Sequence, residues 1–272
     1  MSSKYYKYIF VVLVYRNTGD LEDLTKNLGE KFESGKYRVI VVNAYFDDDT
    51  KSESERISNE CDADFINVPN KGYSYGNNRG IEYALNNYEF EWLIVANPDT
   101  LVEKFDETVL SHTDTVVIAP SVVNLNGKRQ NPMMKKMSPF KERLVYKGCR
   151  KDKPFYMYCG IAWGKAVNAF TVCKKHKKEK RLKEIAMAHG SFVIFSKAVF
   201  DILGLPYDEN MFLFGEESVL ARRLAEKNIG TYYTDAIKVR HKEDGSMKFE
   251  KGNISKNLRD ANIYYYEHYV KG

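Results

Sequence analysis

The chain of 272 residues contains no apolar run close to the roughly 20 residues that a membrane-spanning helix requires. Residues 9–14 are apolar, but no small-residue cleavage site follows them, so we expect a first strand there and not a signal peptide. Cysteine is scarce, and its spacing fits neither a CxxC motif nor a disulfide framework: Cys61, Cys149, Cys159 and Cys173. We therefore expect reduced thiols and a cytoplasmic protein.

Negative charge is scarce in one segment. Residues 135–183 contain sixteen lysines and arginines but three acids, a local balance of +13, whereas the whole chain carries +5 and the remainder therefore −8. A basic segment in an otherwise acidic chain indicates a positive patch for a polyanionic partner or an anionic surface, which includes peripheral contact with the inner face of the cell membrane. A solvated helical face is the alternative interpretation.

In residues 1–124, apolar runs alternate with amphipathic stretches of helix length. The predicted strands are 8–15, 38–43, 64–68, 92–96 and 115–119, and the predicted helices between them are 21–32, 52–61 and 77–88. This alternation is typical of βαβ units, in which helices cover both faces of a parallel sheet. The sequence therefore predicts an α/β, Rossmann-like fold with a mostly parallel sheet.

The alternation stops after residue 124. Asn126-Gly127 is a strong hairpin signal, but the basic segment behind it has no periodicity that assigns its structure. Further predicted elements are a strand at 190–195, helices at 197–203 and 216–227, a strand at 231–235 and an aromatic-rich helix at 255–269. We accordingly divide the chain into 1–124, 125–254 with the basic segment 135–183 inside it, and 255–272.

The stretch WLIVANPDT, residues 92–100, carries the most information about function. Its apolar part predicts a strand buried on both faces, and Pro98 cannot continue a central strand. Asp99 is thus expected just beyond the carboxyl end of the strand, where open α/β sheets bind their ligands. A carboxylate there suits Mg²⁺ or Mn²⁺ carrying a diphosphate, and a simple turn aspartate is the alternative.

Three further patterns are weak alone. NKGYSYGNNRGI, residues 70–81, predicts a glycine-rich loop that approaches a ligand just before a helix. Glu216 and Glu217 fall in the first turn of a predicted helix, where carboxylates are common because the helix dipole stabilises them. His241 follows a short strand, and a surface histidine is the ordinary explanation for it.

In this order the segments resemble the inverting GT-A glycosyltransferases of family two, and within them the rhamnosyltransferase-like branch. The family signature N-x-G-x-x-x-G-N-N-x-G is matched in full by Asn70, Gly72, Gly76, Asn77, Asn78 and Gly80, and the N-P-D turn is matched by Asn97, Pro98 and Asp99. The F-D-E-x-F-F-x-Y-x-E-D-x-D-L-x-x-R pattern is matched in part by Tyr207, Asp208, Glu209, Phe212, Phe214, Glu216, Glu217, Leu220 and Arg223. The resemblance covers residues 8–245, with His241 at the position of the family histidine.

The resemblance implies a GT-A domain whose half at 1–124 binds a nucleoside-diphosphate sugar and whose half at 125–254 binds a saccharide acceptor. Asp99 and His241 would hold Mn²⁺ or Mg²⁺, and Glu217, beside Glu216, would be the catalytic base. The implied donor-binding residues are Val14, Tyr15, Asn17, Asn43, Asn70, Gly72, Gly76, Asn78, Asn97 and Pro98. The acceptor-binding candidates are Asp208, Glu209 and His189, and for His189 a packed histidine is an equal alternative.

Three positions depart from the family pattern. Asn43 replaces the acid that usually contacts the nucleobase of the donor. An amide both donates and accepts hydrogen bonds, so UDP or dTDP sugars are only slightly favoured as donors. Glu217 replaces Asp and Val219 replaces a further acid. We expect an enzyme of surface-polysaccharide synthesis, with an acceptor that is in many relatives lipid-linked, and no nucleic-acid partner. The alternatives are a nucleotidyltransferase, a degenerate GT-A scaffold, or a protein that binds through its basic patch.

Overall fold

The computed structural model describes residues 4–111, 113–243 and 254–271, and these form one sheet with helices on both faces. The strands are β1 Lys4–Val14, β2 Tyr37–Tyr45, β3 Asp64–Pro69, β4 Tyr88–Ala96, β5 Thr100–Phe105, β6 Val116–Asn124, β7 Lys183–Ile185, β8 Phe192–Ser196 and β9 Gly230–His241. The helices are α1 Gly19–Lys31, α2 Asp48–Glu60, α3 Tyr73–Asn87, α4 Pro139–Lys151, α5 Pro154–Phe170, α6 Lys197–Leu203, α7 Glu216–Glu226 and α8 Ile254–Tyr269.

The nine strands lie in the order β3-β2-β1-β4-β8-β6-β9-β5, with β7 added beside β9. The first four are parallel, as expected from the βαβ pattern. Strand β8 enters antiparallel between β4 and β6, and β5 and β7 run antiparallel to β9. The α/β prediction is confirmed. The sheet also contains antiparallel strands, which the sequence did not predict because an apolar run indicates a strand but not its direction.

The two faces of the sheet bury separate cores. In β1, Phe10 and Val12 face a core closed by α1 and α2, whereas Ile9 and Val11 face one closed by α3, α6 and α7. All four side chains are fully buried, so β1 is a central strand with no solvent face. Burial on both faces explains why the apolar run of β1 is continuous and does not alternate with polar residues.

Residues 125–183, which the sequence left unassigned, begin with the predicted hairpin turn. The amide of Gly127 donates to the carbonyl of Asn124 at 2.9 Å, and φ of Gly127 is +74°. Helices α4 and α5 follow as an antiparallel pair, and α8 packs against α4. The predicted division at residue 254 lies beside residues 244–253, which are outside the described residues. No helix in the described ranges combines the length and apolarity that crossing a bilayer would need.

The glycines of the NKGYSYGNNRGI stretch bring α3 close to the sheet, which corrects the loop prediction. Gly76 and Gly80 lie inside α3 and face β1. A methyl group on Gly76 would lie 2.4 Å from Cδ1 of Leu13, and one on Gly80 would lie 2.4 Å from Cγ1 of Val11. Both positions therefore need glycine for packing, at a cost in helix propensity.

Gly72, just before α3, meets a different neighbour. Its φ is +99°, and a Cβ there would lie 2.1 Å from the carbonyl oxygen of Phe212. That same carbonyl accepts a hydrogen bond of 2.8 Å from the amide of Tyr73. The start of α3 is thus fixed against the backbone of the segment that leads to α7.

We expect Gly80→Ala to lower the free energy of unfolding by about 1–3 kcal/mol, because the added methyl group meets stiff β-branched side chains of β1 and β2. The matched control is Gly29→Ala in α1, where the nearest atom would be the hydroxyl oxygen of Tyr37 at an ordinary 3.7 Å. The control should gain about 0.4–1 kcal/mol. Urea denaturation measures both changes, and equal effects of the two substitutions would contradict the packing argument.

Candidate functional site

A cavity of about 630 Å³ lies at the carboxyl ends of β1, β2 and β4. The turn after β4, the residues before β8, the segment before α7 and the first turn of α7 form its walls. This volume lies in the range of small-molecule sites, and the position is where α/β sheets bind ligands. Ten of the predicted site residues line it: Tyr15, Asn70, Gly72, Asn97, Pro98, Asp99, His189, Glu216, Glu217 and His241.

Asp99 and His241 come together because of strand register. Thr100, which follows Asp99, pairs with His241 where β5 runs antiparallel to β9. Both side chains are buried, and Nε2 of His241 lies 3.3 Å from Oδ1 of Asp99. The two residues are far apart in sequence, but pairing of β5 with β9 places a carboxylate oxygen next to an imidazole nitrogen.

A chain of hydrogen bonds orients the imidazole of His241. Its Nδ1 lies 2.8 Å from Oε1 of Gln130, and Nε2 of Gln130 donates to Glu243 at 2.7 Å. Glu243 in turn accepts from Asn124 at 2.8 Å. Because the amide of Gln130 donates to Glu243, its oxygen faces His241 and accepts from Nδ1. Nε2 is then the ring nitrogen that faces Asp99.

This donor set fits a divalent cation that is also held by a diphosphate. A carboxylate oxygen and a histidine nitrogen whose second nitrogen is hydrogen-bonded are the ligand types of Mn²⁺ and related ions. Within residues 4–111, 113–243 and 254–271, no group of three acidic, histidine or cysteine side chains could hold a metal ion. The Asp99 and His241 pair therefore needs oxygen ligands from substrate or water.

Glu216 and Glu217 lie in the cavity wall at the start of α7. The helix follows Phe214 and Gly215, both with positive φ, so the chain turns sharply into the cavity. Burial raises the pKa of Glu217, and burial together with repulsion from Glu217 raises the pKa of Glu216 well above its usual range. Burial thus favours the protonated form of these carboxyls more than it does for an exposed glutamate.

Glycine also permits the approach of Glu217. The amide of Gly190 donates to Oε1 of Glu217 at 3.4 Å, and a Cβ on Gly190 would lie 3.2 Å from the same oxygen. The hydroxyl of Tyr73 donates to the carbonyl of Gly190 at 2.9 Å. Tyr73 therefore connects the start of α3 to the residue that faces the carboxylate.

His189 lines the cavity beside His241, with the ring centroids 5.6 Å apart. Burial lowers the pKa of His189 to about 4, and repulsion from His241 adds to the effect, so the ring is neutral at pH 7. Its Nδ1 accepts from the amide of Ser191 at 3.2 Å, and its own amide donates to Asn131 at 2.8 Å. It is thus both a packed histidine and a cavity residue.

Four predicted donor residues do not line the cavity. Val14 is buried in the core, and Asn17 donates to Asp20 at the start of α1. Asn43 is fully buried and donates to Oδ1 of Asn67 at 2.7 Å, since these residues are opposite each other in β2 and β3. Gly76 is covered by Leu13, as described above.

Asn78, Asp208 and Glu209 also lie outside the wall, where they hold the segment before α7. Asn78 donates to the carbonyl of Tyr207 at 2.9 Å and to Glu209 at 3.0 Å. Asp208 accepts from Tyr264 at 2.9 Å and from Tyr269 of α8 at 2.7 Å. In this structure, Asp208 and Glu209 therefore make contacts that position the segment before α7.

Sequence reasoning missed other cavity residues: Leu13, Ala44, Tyr73, Gln130, Gly190, Ser191, Phe212, Leu213, Phe214 and Glu243. Gln130 follows a hairpin, and no local pattern connects it to His241. Tyr73 and Phe214 lie inside stretches that we had singled out, so proximity in sequence was an available signal for them.

A second depression of about 720 Å³ lies on the other side of β6 and β9. Four cationic side chains and two acids line it: Lys104, Arg129, Lys238, Arg240, Glu103 and Asp235. Arg240 already pairs with Glu103. It contains no histidine, whereas two histidines line the first cavity, so we take the first cavity as the candidate site.

No protein-family model matches the chain. In sequence, the chain is similar to the low-salt glycan biosynthesis hexosyltransferase Agl10 of Haloferax volcanii, at 26% identity over 238 residues. The match covers 86% of this chain and 66% of the relative, so the chain spans slightly less than two thirds of that protein.

Three solved structures share the fold at 14% identity. GalNAc-T7 with UDP, GalNAc and Mn²⁺ has a TM-score of 0.58, covering 89% of this chain and 44% of that one. The mannosyltransferase PcManGT from Pyrobaculum calidifontis, with GDP-Man and Mn²⁺, has 0.54, covering 95% and 69%. TarS of S. aureus has 0.53, covering 91% and 38%. The chain thus has the GT-A fold that these structures share, and its sequence is similar to that of a hexosyltransferase.

We expect Glu216→Gln to stabilise the protein at pH 8, by about 1 kcal/mol or more, because it removes a buried charge. The folded-state pKa of Glu216 is raised, so protonation favours the folded state, and this contribution is lost as pH rises through that pKa. The advantage of the variant should therefore shrink as pH falls toward the ordinary glutamate pKa.

Thermal denaturation between pH 5 and 8 measures the effect. Glu226→Gln, an exposed carboxylate in the last turn of the same helix, is the control and should show no such trend. A gain for Glu216→Gln that does not change with pH would contradict the raised pKa.

Proposed function

We propose that this protein is a metal-dependent, inverting glycosyltransferase that moves a sugar from a nucleoside diphosphate to a hydroxyl of a saccharide acceptor. One observation carries the proposal. A single cavity contains the Asp99 and His241 pair and, on another wall, two glutamates whose pKa values burial raises. A metal-diphosphate site and a proton acceptor are the two parts that this transfer needs.

Asp99 and His241 are the proposed ligands of Mn²⁺ or Mg²⁺, and Gln130 keeps His241 in the tautomer that a metal needs. When bound, the cation offsets the negative charge that develops on the departing diphosphate. Mn²⁺ accompanies UDP in the GalNAc-T7 structure and GDP-Man in PcManGT, which supports a divalent ion here.

The proposed donor site lies along the ends of β1 and β4, against Tyr15, Asn70, Gly72 and Asn97. We keep UDP or dTDP as slightly favoured donors. The amide of Asn43 is directed at Asn67 and not at the cavity. Recognition of the base would therefore fall to other residues at the end of β1, of which Tyr15 lines the cavity.

Glu217 is the proposed catalytic base. Its carboxylate takes the proton of the acceptor hydroxyl, and the oxygen attacks the anomeric carbon as the bond to the diphosphate breaks on the opposite face, which inverts the centre. Gly190 holds one carboxylate oxygen, and the raised pKa makes the group a stronger base than an exposed glutamate. Repulsion between the two neighbouring carboxyls disfavours a negative charge on both at once.

The proposed pathway is the synthesis of a surface polysaccharide or its lipid-linked precursor, on the cytoplasmic side of the membrane. The similarity to a glycan biosynthesis hexosyltransferase of Haloferax volcanii supports a glycan acceptor. All four cysteines are free thiols, which fits a reducing compartment.

Two other functions remain testable. A degenerate GT-A scaffold would keep the cavity without turnover. A protein that binds nucleic acid through its basic patch would lose affinity steeply with ionic strength. The basic-patch function leaves the buried Asp99 and His241 pair and the two glutamates unexplained, and donor turnover distinguishes an enzyme from a scaffold.

We expect UDP or dTDP at 100 times its dissociation constant to add about 2.7 kcal/mol of stability in the presence of Mn²⁺ or Mg²⁺. EDTA should remove most of this shift, and Asp99→Asn should remove its metal dependence. A thermal-shift panel of five nucleoside diphosphates measures this. Absence of a shift with every diphosphate at millimolar concentration would contradict the donor site.

We expect Glu217→Gln to lower kcat by about 10²–10⁴-fold, because an amide cannot accept the proton, while nucleotide binding persists. Glu217→Asp should keep much of the activity, since it shortens the side chain by one methylene and retains the carboxylate. Donor turnover and nucleotide-induced thermal shifts are measured on the same samples. Full turnover by Glu217→Gln would assign the base elsewhere.

A further inference from the structure

Helix α5 is unusually apolar for a helix at the protein surface. Its sequence, PFYMYCGIAWGKAVNAF, has Lys165 as its one charged residue in 17. One side packs against α4 through two glycines: a Cβ on Gly160 would lie 2.9 Å from Val145, and one on Gly164 would lie 2.9 Å from Lys141. The contact is so close that the opposite side of α5 must face outward.

The outward side of α5 and Val172, two residues beyond the end of the helix, are strongly exposed. The exposed fractions are 70% for Phe155, 69% for Tyr158, 48% for Trp163, 88% for Phe170 and 91% for Val172. A surface helix ordinarily presents polar residues to water, and a contiguous exposed apolar surface marks an interaction site.

Positive charge flanks α5 in the sequence on both sides. The exposed cations before and after α5 are Arg150, Lys151, Lys153, Lys174, Lys175, Lys177, Lys178 and Lys180. Every acid of the basic segment is already in an ion pair: Glu142 with Arg222, Asp152 with Arg259, and Glu179 with Arg181. The field at the surface is therefore set by lysines and arginines.

We propose that the α4–α5 hairpin docks on an anionic lipid bilayer. Helix α5 would lie in the plane of the interface, with its aromatic side chains among the acyl chains and the flanking cations at the phosphate headgroups. The apolar face and the basic rim are the two features such a surface recognises. A second copy of the chain fits less well, because it would bring two rims of the same charge together.

The hairpin is connected to the cavity by short contacts. The side chain of Asn168 in α5 accepts from the amide of Lys135 at 2.8 Å and donates to the carbonyl of Met133 at 2.9 Å. This segment begins with Gln130, which orients His241, and Asn131, which holds His189. Docking would thus hold the cavity near the membrane. If the proposed function is correct, the acceptor is a saccharide attached to a lipid.

Vesicle binding tests the proposal directly. We expect the full chain to co-sediment with phosphatidylcholine vesicles that contain about 30% phosphatidylglycerol. Substitution to Gln at Lys174, Lys175, Lys177 and Lys178 should lower the affinity for these vesicles by about fivefold for each lysine removed. The matched control carries the same change at Lys26, Lys104, Lys227 and Lys238, which are exposed elsewhere. Phe155→Ser with Phe170→Ser should also abolish binding, whereas Leu125→Ser, at a residue 60% exposed on another face, should not.

Tryptophan fluorescence supplies a second readout. Trp92 is 5% exposed and Trp163 is 48% exposed, so a blue shift on adding anionic vesicles reports insertion of α5, and Trp163→Phe should remove it. Nucleotide thermal shifts, which report on the cavity and not on the exposed face of α5, show that each variant is folded and separate this test from the donor site.

Three results would overturn the proposal. The first is no binding to anionic vesicles by protein that is folded. The second is equal loss in the test and control variants. The third is a dimer in sedimentation equilibrium that Phe155→Ser with Phe170→Ser dissociates, which would assign the face to a second copy of the chain.

Discussion

The close approach of α3 to β1 is the constraint on which the rest of the site depends. Gly76 and Gly80 allow the helix axis to lie against the sheet, and Gly72 allows the backbone of Phe212 to touch the start of the helix. From this position Asn78 holds Tyr207, which leads into the segment before α7. The two glutamates are thus placed by packing contacts that contain no catalytic group.

Strand register has a comparable role on the metal side. Asp99 and His241 meet because β5 returns antiparallel to β9, and Asn124 of β6 is aligned with His241 on the other side. A shift of one residue in either ladder would turn His241 away from Asp99. The ladder hydrogen bonds of three strands therefore fix one side chain pair, and the chain from Gln130 to Glu243 fixes only its final orientation.

Local patterns predicted the amino-terminal half well, because each βαβ unit buries its own apolar run and ends in its own turn. The end of β4 before Pro98 was predicted correctly, and so, in the carboxyl-terminal half, was the helix Lys197–Leu203. The side-chain contacts that local patterns did not predict share one physical cause. The partners of Asn43, Asp208 and Gln130 are more than 20 residues away, and whether a polar side chain faces a ligand or another side chain is decided by those partners. The α4–α5 pair was not predicted because a helix is located from amphipathic periodicity, and α5 has no polar face to produce it.

The missing polar face of α5 bears on how the proposed membrane surface is placed relative to the candidate site. A helix without a polar face gains no stability from exposing phenylalanine to water, so its sequence makes physical sense only if another medium covers it. Gly160 and Gly164 seat α5 tightly on α4, and α8 supports α4 in turn through Tyr265, which donates to Glu142 at 2.8 Å. The same helix α8 holds Asp208 in front of α7. The surface that we assign to the membrane and the loop that carries the proposed base therefore rest on one supporting helix, so the two are placed relative to each other by a single packed unit.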